Sequence, residues 1–111
     1  MAKYKNKKVQ IDMHVFDSIV ESKRYKELKL LEKAKEIEKL ELQPKFLLQE
    51  SFKKNGKTFR KIEYIADFKY LDKRTNKVVV EDVKGMETKD FKIKRKLFEF
   101  KYPELELVLI K

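Results

Sequence analysis

Apolar residues recur at three- and four-residue steps from Asp17 to Leu40, where Val20, Leu28, Leu31, Ala34 and Ile37 line up along a stretch without Gly or Pro. That spacing predicts one long amphipathic helix. Ser18 followed by Glu21 fits a capping box at its start, with Asp17 as an alternative cap. Leu42 to Phe52 then reads as a strand, entered past Pro44 and centred on Phe46, Leu47 and Leu48, and Asn55-Gly56 suits the left-handed backbone of a tight hairpin turn. From about Thr58 to Leu71 the period is two. Ile62, Tyr64, Ala66, Phe68 and Tyr70 fall on one face, and Lys61, Glu63, Ile65, Asp67 and Lys69 fall on the other. A third strand from Lys77 to Lys84 carries Val78, Val79 and Val80 and ends at Gly85. Thr88 is placed to cap a second helix from about Lys89 to Lys101, with Phe91, Leu97 and Phe98 for packing. Pro103 stops that helix, and Leu105 to Ile110 is a last strand. The predicted order is αβββαβ, an α/β (α+β) single domain with a mixed sheet and a helix on each side.

Composition narrows what such a domain can do. The chain has 111 residues, enough for one core, and its eight Phe and five Tyr argue for a folded domain rather than a solvated tail. It has no cysteine and one histidine, which excludes a disulfide framework, a thiolate zinc site, a Cys nucleophile and a His-rich metal site. Any chemistry must therefore use carboxylates, lysines and backbone. No run approaches the roughly 18 apolar residues that span a bilayer, and the Lys-rich N-terminus has no apolar stretch behind it, so a cytoplasmic protein is expected. The net charge of +10 points to a polyanionic partner, because each Lys or Arg beside a phosphate releases counterions. Residues 1–15 form a basic arm carrying Lys3, Lys5, Lys7 and Lys8, either a frayed tail or a DNA-contacting segment, ahead of a domain over 16–111.

The stretch richest in chemistry is Glu81-Asp82-Val83-Lys84-Gly85. Residues two apart in a strand share a face, so Asp82 and Lys84 project together while Glu81 points the other way with Val79 and Val83. A plain salt bridge explains the pair; so does a bound ligand. Asp67 lies on the preceding strand, which a hairpin would set beside the third, and two converging carboxylates favour a raised pKa or a bound cation. Mg²⁺ takes oxygen ligands and keeps several waters, so two or three carboxylates suffice. The matching chemistry is phosphodiester hydrolysis, with Lys84 placed to orient water and offset transition-state charge.

With these residues in place the sequence resembles the PD-(D/E)XK nuclease superfamily, and within it a family of small bacteriophage proteins. The correspondence runs through Phe16-Asp17-Ser18 and Glu21 on the first helix, Gln43-Pro44 at the first strand, Ile65-Ala66-Asp67-Phe68 on the second and Glu81-Asp82-Val83-Lys84-Gly85 on the third. Alanine stands before Asp67 in place of proline, and Asp82 takes the place that glutamate often fills. The resemblance implies a restriction-endonuclease-like fold and an Mg²⁺- or Mn²⁺-dependent DNA endonuclease. Asp67, Asp82, Lys84 and Glu21 would be catalytic, with Asp67, Asp82 and Glu21 as metal ligands. Its junction-resolving members extend the expectation to branched or Holliday-junction DNA, to recombination and to a homodimer with one site per strand. A phage origin would place the protein in the bacterial host cytoplasm.

Several of the less specific residues have two readings. Glu21 serves either the capping box or the site. His14 is either exposed structure or a phosphate contact. Glu63 shares a strand face with Asp67 but lies about 13 Å along it, which makes it a surface residue. Lys92, Lys94, Arg95 and Lys96 form either a solvated helix face or a DNA contact, with Lys94 the candidate for the scissile strand. Lys53, Lys54, Lys57 and Arg60, with Lys61, make the hairpin tip a further DNA contact. The alternative function is a non-catalytic basic nucleic-acid-binding protein, whose acidic cluster is a structural salt bridge.

Overall fold

The computed structural model describes residues 8–111, so Lys3, Lys5 and Lys7 of the basic arm lie outside the described residues. The next residues form a short antiparallel hairpin, β1 (Val9–Ile11) with β2 (His14–Phe16), whose turn residues Asp12 and Met13 both have positive φ. Tyr25 Oη donates to Asp12 Oδ2 at 3.0 Å and Phe16 is buried, which fastens this hairpin to the first helix.

That helix, α1, runs Ile19–Lys33 and is capped by Ser18, whose Oγ accepts from the Glu21 amide at 3.1 Å. It is shorter than its apolar spacing predicts. Lys35 adopts φ 64°, and the amides of Lys35 and Glu36 bond back to the carbonyls of Glu32 and Leu31 at 3.0 and 2.9 Å. This is a Schellman stop built without glycine, so no glycine marks it in the sequence. Lys35→Gly should raise stability by about 1 kcal/mol by removing the left-handed penalty, read as a higher urea midpoint.

The chain then enters β3 (Ile37–Leu42), β4 (Lys45–Gln49), β5 (Phe52–Lys54), β6 (Lys57–Phe59), β7 (Ile62–Ile65), β8 (Phe68–Asp72) and β9 (Lys77–Val83). Helix α2 (Lys89–Lys101) and β10 (Glu106–Ile110) complete it. β3 thus takes the end of the span predicted as helix, the predicted first strand is mainly β4, and the predicted second strand is divided among β6, β7 and β8. Gln43, at φ 52°, separates β3 from β4, and β7 and β8 part at Ala66-Asp67. The breaks stay bonded to one another: Gln43 N donates to Asp67 O at 2.9 Å and Ala66 N to Pro44 O at 3.1 Å. The molecule is α+β. Its four-stranded sheet has the order β10-β9-β8-β3, parallel between β10 and β9 and antiparallel elsewhere.

Two apolar clusters cover the two faces of this sheet. On one side Tyr25 and Leu28 of α1 lie with Phe68, Tyr70 and Val79; on the other Phe91 and Phe98 of α2 lie with Tyr64, Ala66 and Val80. The alternating set from Ile62 to Tyr70 therefore does not keep to one face. Phe68 is in register with Glu81, and the Asp67 amide also donates to Glu81 O at 3.0 Å, so two residues oppose one. Such a bulge shifts the strand phase by one residue and re-aims the side chain at that point.

Candidate active site

The bulge delivers Asp67 to the end of β9. Its Oδ2 accepts from the amide of Val83, the residue after Asp82, at 2.7 Å. Asp82 is buried, on the α2 face of β9, where Tyr64 Oη donates to its Oδ2. Lys84 shares that face: its Nζ stands 3.8 Å from Asp82 Oδ2 and 4.6 Å from the centre of the Phe91 ring, a cation-π distance. Glu81 takes the opposite face, as strand alternation requires. Arg24 Nε and Nη2 bind its two carboxylate oxygens at 2.7 and 2.6 Å, and Tyr70 Oη donates to Oε2 at 2.5 Å. Glu81 is thus committed to α1, while Asp82 faces the candidate site.

Glu21 approaches from the first turn of α1. It is buried despite its charge and lines, with Asp67, His14 and Gln43, an open concavity of about 310 Å³. Burial raises the Glu21 pKa, and the charges of Asp17 and Asp82 raise it further. Asp67 is pushed up to about 7, first by burial and then by the charges of Glu21 and Asp82, against the opposing pull of the Val83 amide. Three carboxyl groups from a helix and two adjacent strands therefore share one electrostatic environment. Among the described residues no three His, Asp or Glu side chains stand already arranged to enclose an ion. The donor set nevertheless fits a hard divalent cation: every candidate donor is a carboxylate oxygen. Asp67 and Asp82 each give Oδ2 to a protein donor, which leaves Oδ1 of both for one another or for a cation.

The raised pKa has a definite sign. The unfolded carboxyl titrates near 3.9, about three units lower, so folding takes up a proton between those values. The group contributes stability below about pH 4, loses it as pH rises toward 7, and opposes folding above. In metal-free buffer Asp67→Asn should therefore stabilise the protein at pH 8 by about 2 kcal/mol, allowing for partial exposure, and not at pH 4.5. Thermal melts of both proteins across that range check it.

The basic candidates separate into three places. Lys94 and Lys84 line one open groove with Tyr64 and Phe91, and Lys94 also reaches Asp90 at 3.9 Å. Arg95 pairs with Glu99 at 3.6 Å, whereas Lys92 and Lys96 are exposed on α2. Lys53, Lys54, Lys57 and Arg60 belong to the β5–β6 hairpin and its exit, outside the carboxylate cluster. His14 is exposed at the concavity's edge. Glu63 is not the surface residue its place along the strand predicts: it is half-buried, lines the groove of Lys84 and Lys94, and pairs with Lys61 at 3.5 Å.

Tyr64 and Arg24 were not among the sequence candidates. Arg24 is the only arginine of α1, and Arg among lysines marks bidentate carboxylate binding. Tyr64 gives a weaker signal, a phenol three residues before Asp67 whose strand phase hides its contact with Asp82.

Among the described residues no helix is long and apolar enough to cross a membrane. A family model described as "Protein of unknown function (DUF1064)" matches residues 1–111. No curated protein and no solved structure matches the chain.

Proposed function

The chain belongs to this DUF1064 family of proteins of unknown function, and from its geometry we propose that it is a metal-dependent DNA endonuclease with a PD-(D/E)XK-type site. One observation carries this reading. On a strongly basic protein, Glu21 and Asp67 line one concavity, Asp67 is tied to the amide that follows Asp82, and an ammonium lies 3.8 Å from Asp82, the most buried of the three. The element order, two helices around a mixed sheet with the acids at the strand break and on β9, supports a restriction-endonuclease-like topology.

Glu21, Asp67 and Asp82 would hold Mg²⁺ or Mn²⁺, which supplies Lewis-acid polarisation of a phosphate and acidification of water. The rest falls to the chain itself. Lys84 Nζ, in an open groove, donates to the attacking water and to the charge that builds on the phosphoryl oxygens. The water oxygen bonds to phosphorus and releases a proton to solvent as the bond to the departing sugar oxygen breaks, and that oxygen takes up a proton from solvent. Tyr64 fixes the rotamer of Asp82, and Lys94 at the groove wall binds a flanking phosphate. Asp67, pushed up to about 7 by its burial, would give up its remaining proton when a cation is held there.

The test is incubation of linear, nicked and four-way-junction DNA with Mg²⁺, with Mn²⁺ and with EDTA. Metal-dependent strand cleavage is expected; cleavage that persists in EDTA, or no product on any substrate, overturns it. A preference for the four-way junction, with a dimer in solution, would add recombination to the assignment.

A second reading is favoured by Asp82 itself, because Tyr64 and Lys84 already satisfy it. The chain would then bind nucleic acid without cutting it. In that case Asp67→Asn keeps or strengthens salt-sensitive DNA binding, and no substrate yields product.

A further inference from the structure

The β5–β6 hairpin stands apart from the four-stranded sheet. Like β1–β2 and β4–β7 it is a separate two-stranded pairing, but here alone among these pairs every strand residue is exposed. Asn55 and Gly56, at φ 51° and 72°, form the tight turn. Phe52 and Phe59 are cross-strand partners with rings stacked at 4.9 Å and 11° between planes, yet they remain 44% and 38% exposed. Lys54 and Lys57, the next pair on the same face, extend the aromatic strip, and Lys57 Nζ lies 5.3 Å from the Phe59 ring centre. Lys53 occupies the other face, and Arg60 and Lys61 follow at the exit, with no acidic residue from Ser51 to Ile62.

An apolar pair left in water at the end of a hairpin contributes little to the core, whereas aromatic faces interleaved with lysines suit nucleobases beside phosphates. A duplex hides its base faces in the stack, so this surface fits unpaired bases. We propose that the hairpin is a single-strand-binding arm, in which Phe52 and Phe59 stack on unpaired nucleobases while Lys53, Lys54, Lys57 and Arg60 hold the backbone. The proposal deepens the endonuclease reading and rests on it for one point only, that the captured strand belongs to the DNA being cut. Phe59 and Asp67 are eight residues apart in sequence. An extended chain of that length spans at most about 26 Å, so arm and carboxylates can engage one branched or gapped molecule.

The test is fluorescence anisotropy in EDTA with three labelled probes of equal length: oligo-dT, an abasic oligonucleotide and a duplex. Phe52→Leu/Phe59→Leu keeps an apolar cross-strand pair and removes the π faces. It should weaken oligo-dT binding by about tenfold or more and leave abasic and duplex binding unchanged. Phe52→Tyr/Phe59→Tyr should bind oligo-dT as wild type does. Lys54→Ala/Lys57→Ala should weaken binding to all three and flatten the salt dependence. Unchanged oligo-dT affinity in the leucine variant, or an equal loss on the duplex, overturns the arm. Binding in EDTA is scored apart from cleavage, so an inactive protein with aromatic-dependent binding refutes the endonuclease alone. An active protein without such binding refutes the arm alone.

Discussion

Asp82→Asn should slow DNA cleavage by about 10³-fold while the protein stays folded. The magnitude follows from removing one anionic ligand and with it several kcal/mol of transition-state stabilisation, at 1.36 kcal/mol per tenfold. The amide oxygen can still accept from Tyr64, so the buried hydrogen bond survives the change. Lys84→Met should cost about 10²- to 10³-fold, the usual loss for one donor aimed at developing charge, with DNA affinity in EDTA little altered. Tyr64→Phe acts through Asp82 as a positioning change. It should cost about tenfold and raise the Mg²⁺ concentration needed for half-maximal rate, an effect that excess metal rescues. Because these groups would act on one ion and one water, the double variant Asp82→Asn/Lys84→Met should lose far less than the product of the single losses. Rates from single-turnover cleavage of a labelled duplex and a four-way junction decide it. A full rate in Asp82→Asn would remove the site from this strand.

How much of this was legible in the sequence depended on what each feature is made of. Helix α2 was predicted at the limits it adopts, because Thr88 and Pro103 are local signals with fixed meanings. The end of α1 was not, because Lys35 takes a conformation that the sequence reserves for Gly or Asn, and the residues after it are good helix formers that pair instead with β8. Strand phase placed Asp82 and Lys84 together and Glu81 opposite, as observed. The same reasoning failed across Asp67. A bulge is decided by the partner strand, here the Glu81 carbonyl that accepts from Asp67 N, and leaves no mark in local composition. The link between Glu21 and the acids is tertiary, and periodicity alone could place it only at the edge of the packed stripe.

Arg24→Met should destabilise the protein by about 3–5 kcal/mol, a large part of what a domain of this size has. Glu81 is 1% exposed and both its oxygens are taken by Arg24, with Tyr70 adding a third bond. Removing the guanidinium leaves a buried anion facing one phenol, which costs more than the ion pair contributes, because its desolvation is no longer offset. Arg24→Lys keeps the charge but loses the fork and should fall between. The exposed pair Lys29–Glu32, at 3.0 Å, makes the contrast: Lys29→Met should cost under about 0.5 kcal/mol. If the large loss is the price of the stranded charge, apolar replacement of the whole network should recover it. Arg24→Met/Glu81→Leu/Tyr70→Phe should regain most of the stability, whereas Arg24→Met/Tyr70→Phe should be worse than Arg24→Met alone. Urea unfolding at pH 7 measures all five proteins. A cost below about 1 kcal/mol for Arg24→Met would mean that water reaches the Glu81 carboxylate in the folded state. The consequence reaches the site because Glu81 and Asp82 are neighbours on β9 with opposite facing. The clamp that holds Glu81 to α1 also fixes the roll of the strand that presents Asp82, so the recovered triple variant should be stable and yet cleave more slowly than wild type.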